Sequence, residues 1–287
     1  MFSADFDYFR ANSVAEAGEL LAKHPNAKLL AGGHSLIPLL KLRLATPETV
    51  IDIGRIADLH GITVNDQLTI GALSTHADIA SSTDVQQHAT ALADAASQVG
   101  DPAVRNRGTI GGNIAHADPA SDLPTVLVSL GATLTVVGPA GERSVDVAEF
   151  FQGVMMTTLG DNDLITSIQI PMASADQVTA YAKFSHPASR YAVIGVAVAL
   201  TVNNGTCSAA SVAIGGLVPI PTQCRAVEDI LRDQSLSSAT IATAASAVTN
   251  DLGDDLLGDV FASADYRKAI ADVYVRRALT TAAERVK

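Results

Sequence analysis

Two segments with adjacent glycines constrain this chain more than anything else in it: Ala31-Gly32-Gly33-His34-Ser35 and Thr109-Ile110-Gly111-Gly112-Asn113. A glycine has no Cβ, so the backbone there can come close to another group. Successive exposed N–H groups in such a segment form a nest for an anionic oxygen. The first segment follows an apolar run at 28–31 that reads as a short buried strand. The second follows a loop carrying Arg105 and Arg107. Each alone reads more readily as a tight turn. Together, with Ser35, Thr109 and Asn113 as side-chain donors, they favour two facing loops that clamp the pyrophosphate of a dinucleotide. Neither is G-x-G-x-x-G or G-x-x-x-x-G-K-[ST], which disfavours a Rossmann site and a P-loop kinase or ATPase. The pyrophosphate is expected on loop N–H groups, with neither a helix dipole nor a P-loop lysine. Arg105 and Arg107 either add positive charge there or form surface or inter-domain salt bridges.

Around the first segment, Ser13-Val14-Ala15-Glu16 has the capping-box pattern. Val14, Ala17, Leu20 and Leu21 follow at helical spacing and Pro25 ends the run. Residues 36–44 contain Pro38 and read as a short helix or an irregular turn, and 49–53 is a β-branched strand. Residues 1–56 thus form a small α/β unit. In a second unit, 57–175, strands are expected at 68–71, 132–137, 143–145 and 164–170, with a hairpin turn at 138–141. Helices are expected at 75–80, 84–100 (capped by Thr83 or Asp84) and 118–130. Beyond residue 175, alternation at 181–184, 191–202 and 207–215 reads as antiparallel strands. Helices follow at 225–233, 237–248 and 263–286. Strands followed by helices give an α+β class. The domains are expected at 1–175 and 176–287, in keeping with ~150 residues per domain.

Composition excludes several function classes. Nineteen basic against 30 acidic residues leave a net charge of −11. That speaks against a nucleic-acid partner and against docking on an anionic membrane. Cys207 and Cys224 are the only cysteines, too few for a [2Fe–2S] cluster, a disulfide framework or a Cys-rich zinc site. The first ten residues lack the basic and apolar regions of a signal peptide. The longest apolar stretch, 193–202, is far short of the ~20 residues a membrane helix needs, so the reading is a cytoplasmic protein with no integral membrane segment. His116 and Asp118 form an H-x-D pair without a third ligand, so no metal site is expected. No nucleophile–base set can be argued, and no catalytic residue is assigned. By spacing alone, Asp122 reads as a helix-N-terminal carboxylate.

The stretches AGGHSLIPLLKLRLATPETVIDI at 31–53 and DPAVRNRGTIGGNIAHADPASDLP at 101–124 resemble the FAD-binding medium subunit of the molybdenum hydroxylases, in particular the medium chain of the aerobic carbon monoxide dehydrogenase type. YAKFSHPASRYAVIGVAVAL at 181–200 and SADYRKAIADVYVRRAL at 263–279 extend the resemblance over essentially the whole chain. It implies a FAD-binding fold of the PCMH and vanillyl-alcohol-oxidase type, two α/β subdomains, followed by a C-terminal domain with a three-stranded antiparallel sheet and a helical bundle. It implies that Ala31, Gly32, Gly33, His34 and Ser35, with Thr109, Ile110, Gly111, Gly112 and Asn113, bind the FAD diphosphate. It carries Asp122 and Lys183 over as FAD contacts, Tyr191 as a residue near the isoalloxazine, and Ile165, more weakly, as an isoalloxazine or adenine contact. Ser189 and Arg190 stand where Gly-Asp is common before that tyrosine.

The resemblance further implies an oxidoreductase subunit with non-covalent FAD. A large subunit would hold molybdopterin and a small subunit two [2Fe–2S] clusters, assembled as a dimer of heterotrimers. Electrons would pass from those clusters through FAD to a quinone, NAD or oxygen. The substrate (CO, aldehyde, N-heterocycle or purine) would be chosen by the large subunit. Two alternatives stay open: a stand-alone flavin oxidase with flavin linked through His34, and an assembly protein without FAD.

Overall fold

The computed structural model describes residues 2–286. Ser13 caps the helix Val14–Lys23 by accepting the Glu16 N–H at 3.1 Å. The Glu16 carboxylate reaches one residue further back than a capping box requires, to the Asn12 N–H at 2.7 Å. This helix covers a three-stranded parallel sheet in the order Asp7–Arg10, Thr49–Asp52, Lys28–Leu30. The edge strand Asp7–Arg10 escapes a sequence reading because it is nearly all exposed and carries no apolar alternation. Ala17, Leu21, Ile51, Ile53 and Ile56 form a small core, closed by Leu59, Leu73 and Leu164.

The second sheet is antiparallel throughout, in the order Ile62–Val64, Gln67–Gly71, Leu164–Pro171, Thr133–Gly138, Gly141–Asp146. The hairpin expected at 138–141 is present: Gly138 pairs with Gly141, which sits at φ +101°. Two helix expectations change. The run 84–100 breaks at Ala89 (φ −147°) into Thr83–His88 and Thr90–Gln98. Ser82, rather than Thr83 or Asp84, caps it by accepting the Val85 N–H at 3.3 Å. The helix expected from 118 starts only at Asp122 and runs to Ser129. Before it, the Asp118 carboxylate accepts the Ala120 N–H at 2.9 Å, an Asx turn that competes with the helix.

The third sheet contains the three expected strands, Gln177–Ser185, Ala192–Asn203 and Thr206–Gly215, extended by Thr222–Gln223 and Gln234–Ser235. The central strand is buried almost throughout because both sheet faces are covered. Ile194, Val196, Val198, Leu200, Val212 and Ile214 point to the helices Arg225–Leu231, Ser238–Ser246 and Ala264–Glu284. The other face is built of small residues. Ala197 and Ala213, with Tyr181, share a core with the second sheet's helices. Gly195 and Gly215 pair directly across the strands on that face. A Cβ on Gly215 would overlap Thr125 Oγ1, and one on Gly195 would lie 2.5 Å from the Tyr181 hydroxyl. Gly215 is therefore the gap in which helix Asp122–Ser129 rests, and Gly195 the gap that seats the Tyr181 ring. Gly215→Val should lift that helix at a cost of about 2–3 kcal/mol, as overpacked cores do. A urea midpoint equal to the parent's would show that the helix can move freely.

Candidate functional site

The strand Lys28–Leu30 ends at Ala31, and the chain turns into the helix Leu36–Leu42 through Gly33 at φ +81°. Pro38 does not prevent this helix, because in the first turn its missing N–H has no intrahelical acceptor. The N–H groups of Gly32, Gly33, His34, Ser35 and Leu36 meet no protein acceptor among the described residues. Consecutive bare amides in a turn are a nest for an anion.

The second glycine segment differs from its expectation. It is not a loop: Thr109 caps a helix, Ile110–His116. Its amides are largely occupied. Ile110 N–H donates to Ser74 O at 3.0 Å, Gly111 N–H to Ala72 O at 2.8 Å and Asn113 N–H to Thr109 O at 2.9 Å. Gly112 N–H makes only a long bond, 3.3 Å, to Thr109 Oγ1. The bare nest thus belongs to the first segment, and the second supplies a capped helix end beside it.

The two segments touch. A Cβ on Gly32 would overlap the Arg107 carbonyl oxygen and come within 3.1 Å of Gly108 Cα. A Cβ on Gly112 would face Ala31 Cβ at 3.8 Å. The four glycines therefore do different things. Gly32 lets the two backbones meet, and Gly33 supplies a positive φ. Gly111 lets its helix pack on Ala72, whose Cβ would lie 2.6 Å from an added Cβ. Gly112 keeps the space beside Ala31 clear. Arg105 spends its guanidinium on the carbonyls of Val99 and Gly100, at 3.0 and 3.2 Å. Arg107 is exposed.

Asn113 donates from Nδ2 to Ser121 Oγ at 3.0 Å, while its Oδ1 is buried without a donor. Ser35 makes no capping bond and His34 is exposed. His76, absent from the sequence reading, sits behind this junction. Its N–H donates to Gly108 O at 3.0 Å, and its ring fills the place a Gly108 Cβ would take. The ring is buried, with Nδ1 unpartnered. Burial, then the nearby His34 and Arg105, lower its pKa to about 4. Unfolded histidine takes its proton near 6.5. Stability from neutral His76 is thus complete above pH 6.5 and lost as the pH falls toward 4, by about 3 kcal/mol. His76→Phe should flatten this part of the stability–pH curve, and a curve parallel to the parent's would refute the assignment.

Asp122 opens its helix but caps nothing with its side chain. Tyr181 donates to Asp122 Oδ1 at 2.6 Å, and Lys183 Nζ lies 2.8 Å from Oδ1 and 2.9 Å from Oδ2. Lys183 also donates to the Gln98 carbonyl at 3.3 Å. The side chain of Lys183 is 0% exposed and that of Asp122 5%. Burial pushes the Asp122 carboxyl up, against the pull of Lys183 and Tyr181. Tyr181 and Lys183 share a sheet face because they are two residues apart on one strand, a signal the sequence contained. Tyr191 is 43% exposed and precedes the central strand. Ala192 N–H donates to Ala120 O at 3.0 Å, tying it to the Asp118–Asp122 turn. Burial, then Asp118 and Asp122, raise the Tyr191 phenol. Ile165 is buried in the core, at a bulge in strand Leu164–Pro171. Its neighbour Thr166 accepts the Ala72 N–H at 3.0 Å, one step from Gly111.

A five-amide nest, a helix cap beside it and a buried acceptor awaiting a donor suit a ligand with a diphosphate and hydroxyl or amide groups. Two family models match. "FAD binding domain in molybdopterin dehydrogenase" covers residues 4–173, and "CO dehydrogenase flavoprotein C-terminal domain" covers 179–282. The chain is 37% identical to the 6-hydroxypseudooxynicotine dehydrogenase complex subunit alpha of Paenarthrobacter nicotinovorans, over 98% of this chain and 96% of that one. It is 37% identical to the carbon monoxide dehydrogenase medium chain of Hydrogenophaga pseudoflava, over 98% of both. A solved structure of carbon monoxide dehydrogenase from the latter organism superposes over 100% of both chains, with a TM-score of 0.95 and 38% identity. Fold and site together define a FAD-binding flavoprotein, an oxidoreductase component. Within that class, the chain belongs to the FAD-binding medium-subunit family of the molybdenum hydroxylases.

Proposed function

We propose that this chain is the FAD-carrying medium subunit of a heterotrimeric molybdenum hydroxylase, passing electrons from partner [2Fe–2S] clusters to an external acceptor. The observation that carries the reading is the run of five bare amides, Gly32 to Leu36, packed against the Thr109-capped helix. Its relatives are subunits of multi-subunit dehydrogenases. Ala31, Gly32, Gly33, His34 and Ser35 hold the diphosphate. Thr109, Ile110, Gly111, Gly112 and Asn113 form the opposing wall, with Asn113 Oδ1 accepting from the cofactor. Asp122, Lys183, Tyr191 and Ile165 serve the flavin end or its surroundings. Bound FAD supplies the conversion between one- and two-electron transfer, and the protein supplies orientation and electrostatics. This chain's residues bind and orient without moving substrate protons.

The FAD-binding part spans 1–175, with subdomains at 1–56 and 57–175, and the C-terminal domain 176–287. Molybdopterin and the clusters reside on a large and a small partner in a dimer of heterotrimers. The acceptor is a quinone, NAD or oxygen, and the large subunit selects among CO, aldehydes, N-heterocycles and purines. No helix among the described residues is long and apolar enough to cross a membrane, which suits a cytoplasmic complex.

The test is purification of the tagged chain from its native cells. Flavin, molybdenum and iron should co-elute with two other polypeptides, and acid precipitation should release the flavin to the supernatant. Colour kept in the pellet would favour attachment through His34. A lone chain without flavin would overturn the proposal.

A further inference from the structure

The pocket beneath the Asp122 carboxylate is built from two residues that the proposed cofactor contacts do not include. Gly195 lies opposite Lys183 in the strand register. Its missing Cβ would come 2.5 Å from the Tyr181 hydroxyl and 3.3 Å from the ring carbons Cε2 and Cζ. Tyr181 is 6% exposed, and its hydroxyl meets Asp122 Oδ1 at 2.6 Å. Any side chain at 195 would push the phenol away from the carboxylate. The Gly195 gap and the Tyr181 hydroxyl thus form one device that fixes which way the carboxylate faces.

We propose that Tyr181, seated in the space left by Gly195, is the positioning residue that holds Asp122 for the flavin. The proposal rests on the reading that Asp122 contacts FAD. Both donors on the carboxylate come from one strand, so Lys183 supplies charge and Tyr181 supplies direction. The titratable or charged groups that bear on Asp122 are Tyr181 and Lys183 from strand Gln177–Ser185 and Tyr191 just before the next strand, whose phenol also feels Asp118 from the turn before the Asp122 helix. The Tyr181 hydrogen bond favours the ionised carboxylate and so acts to lower the Asp122 pKa. Removing it moves protonation of the carboxyl to higher pH.

The experiment compares Tyr181→Phe, Gly195→Ala, the double variant and Asp122→Asn in the intact complex. Readouts are the FAD dissociation constant and the flavin midpoint potential across pH 5–9. Tyr181→Phe should weaken FAD about tenfold, the size of one hydrogen bond to a charged group. It should move the acid limb of the pH profile up by about one unit. Gly195→Ala should do the same by crowding the hydroxyl. The double variant should be no worse than either, because the substituted phenyl ring has no hydroxyl to displace. Purely structural roles would lower the melting temperature and leave the acid limb in place. If Tyr181→Phe keeps the parent's affinity and acid limb while Asp122→Asn alters both, the positioning role is wrong and the Asp122 reading stands. If Asp122→Asn also matches the parent, the Asp122 reading is wrong and the proposal falls with it.

Discussion

Gly32→Ala and Gly112→Val are expected to lose the flavin for different reasons, and the difference is measurable. At Gly32 the added Cβ meets main chain, the Arg107 carbonyl and Gly108 Cα. A backbone obstacle cannot rotate away, so the first glycine segment must part from the second. The cost is about 3 kcal/mol, the upper range for overpacking. At 2–4 °C per kcal/mol for a domain of this size, the melting temperature should fall by roughly 10 °C. Flavin content should drop to a few per cent of the parent's. At Gly112 the obstacle is the Thr109 hydroxyl at 2.8 Å, a side-chain group that can turn at the cost of its long 3.3 Å capping bond to the Gly112 N–H. Gly112 is exposed and helical, and replacing that glycine by valine recovers helix propensity worth a few tenths of a kcal/mol. Gly112→Val should therefore melt near the parent and still purify without flavin, because its branches occupy the space beside Ala31. Flavin content equal to the parent's in both variants would remove the two segments from the cofactor site.

That contrast marks how far the sequence can be read. Adjacent glycines in Ala31–Ser35 and Thr109–Asn113 are visible as places of close backbone approach, but what approaches them is not. Gly32 meets the other segment's backbone and Gly111 meets Ala72; both are contacts across the fold that no local pattern encodes. The second segment reads as a loop because two glycines in a short polar context weigh against a helix. The Thr109 cap and the hydrogen bonds to Ala72 and Ser74 override that propensity. The three long strands of the C-terminal sheet are legible from alternation. Its small-residue face is not, since Gly195 and Gly215 acquire meaning only once their register is known. Asp122 shows the same limit. Spacing makes it a helix-end carboxylate, but Tyr181 and Lys183, far along the chain, make it part of a buried ion pair.

The largest single effect on stability is expected from Lys183→Met. The change keeps the length and apolar stem of the side chain and removes its charge together with the long hydrogen bond to the Gln98 carbonyl, so it tests the ammonium group and not the packing. A buried carboxylate that loses its cation is left with the full desolvation penalty, about 3–5 kcal/mol when one partner of such a pair is deleted. The Tyr181 hydroxyl remains and offsets part of it. The pH dependence fixes the cause. In the parent, burial raises the Asp122 pKa while Lys183 opposes the rise. Without Lys183 the folded-state pKa climbs further above the unfolded value near 3.9. The native variant then holds its proton where the unfolded chain has released it. Stability contributed this way is full below about pH 4 and disappears as the pH rises through the folded pKa. The deficit of Lys183→Met should therefore be small at about pH 4.5 and approach about 3–5 kcal/mol at about pH 8, read from urea midpoints at the two pH values. Asp122→Asn in the same background removes the buried charge and should recover most of the loss at the higher pH while leaving the lower one unchanged. A deficit independent of pH, or one that the second substitution fails to relieve, would mean that Lys183 contributes packing and that the carboxylate does not depend on it.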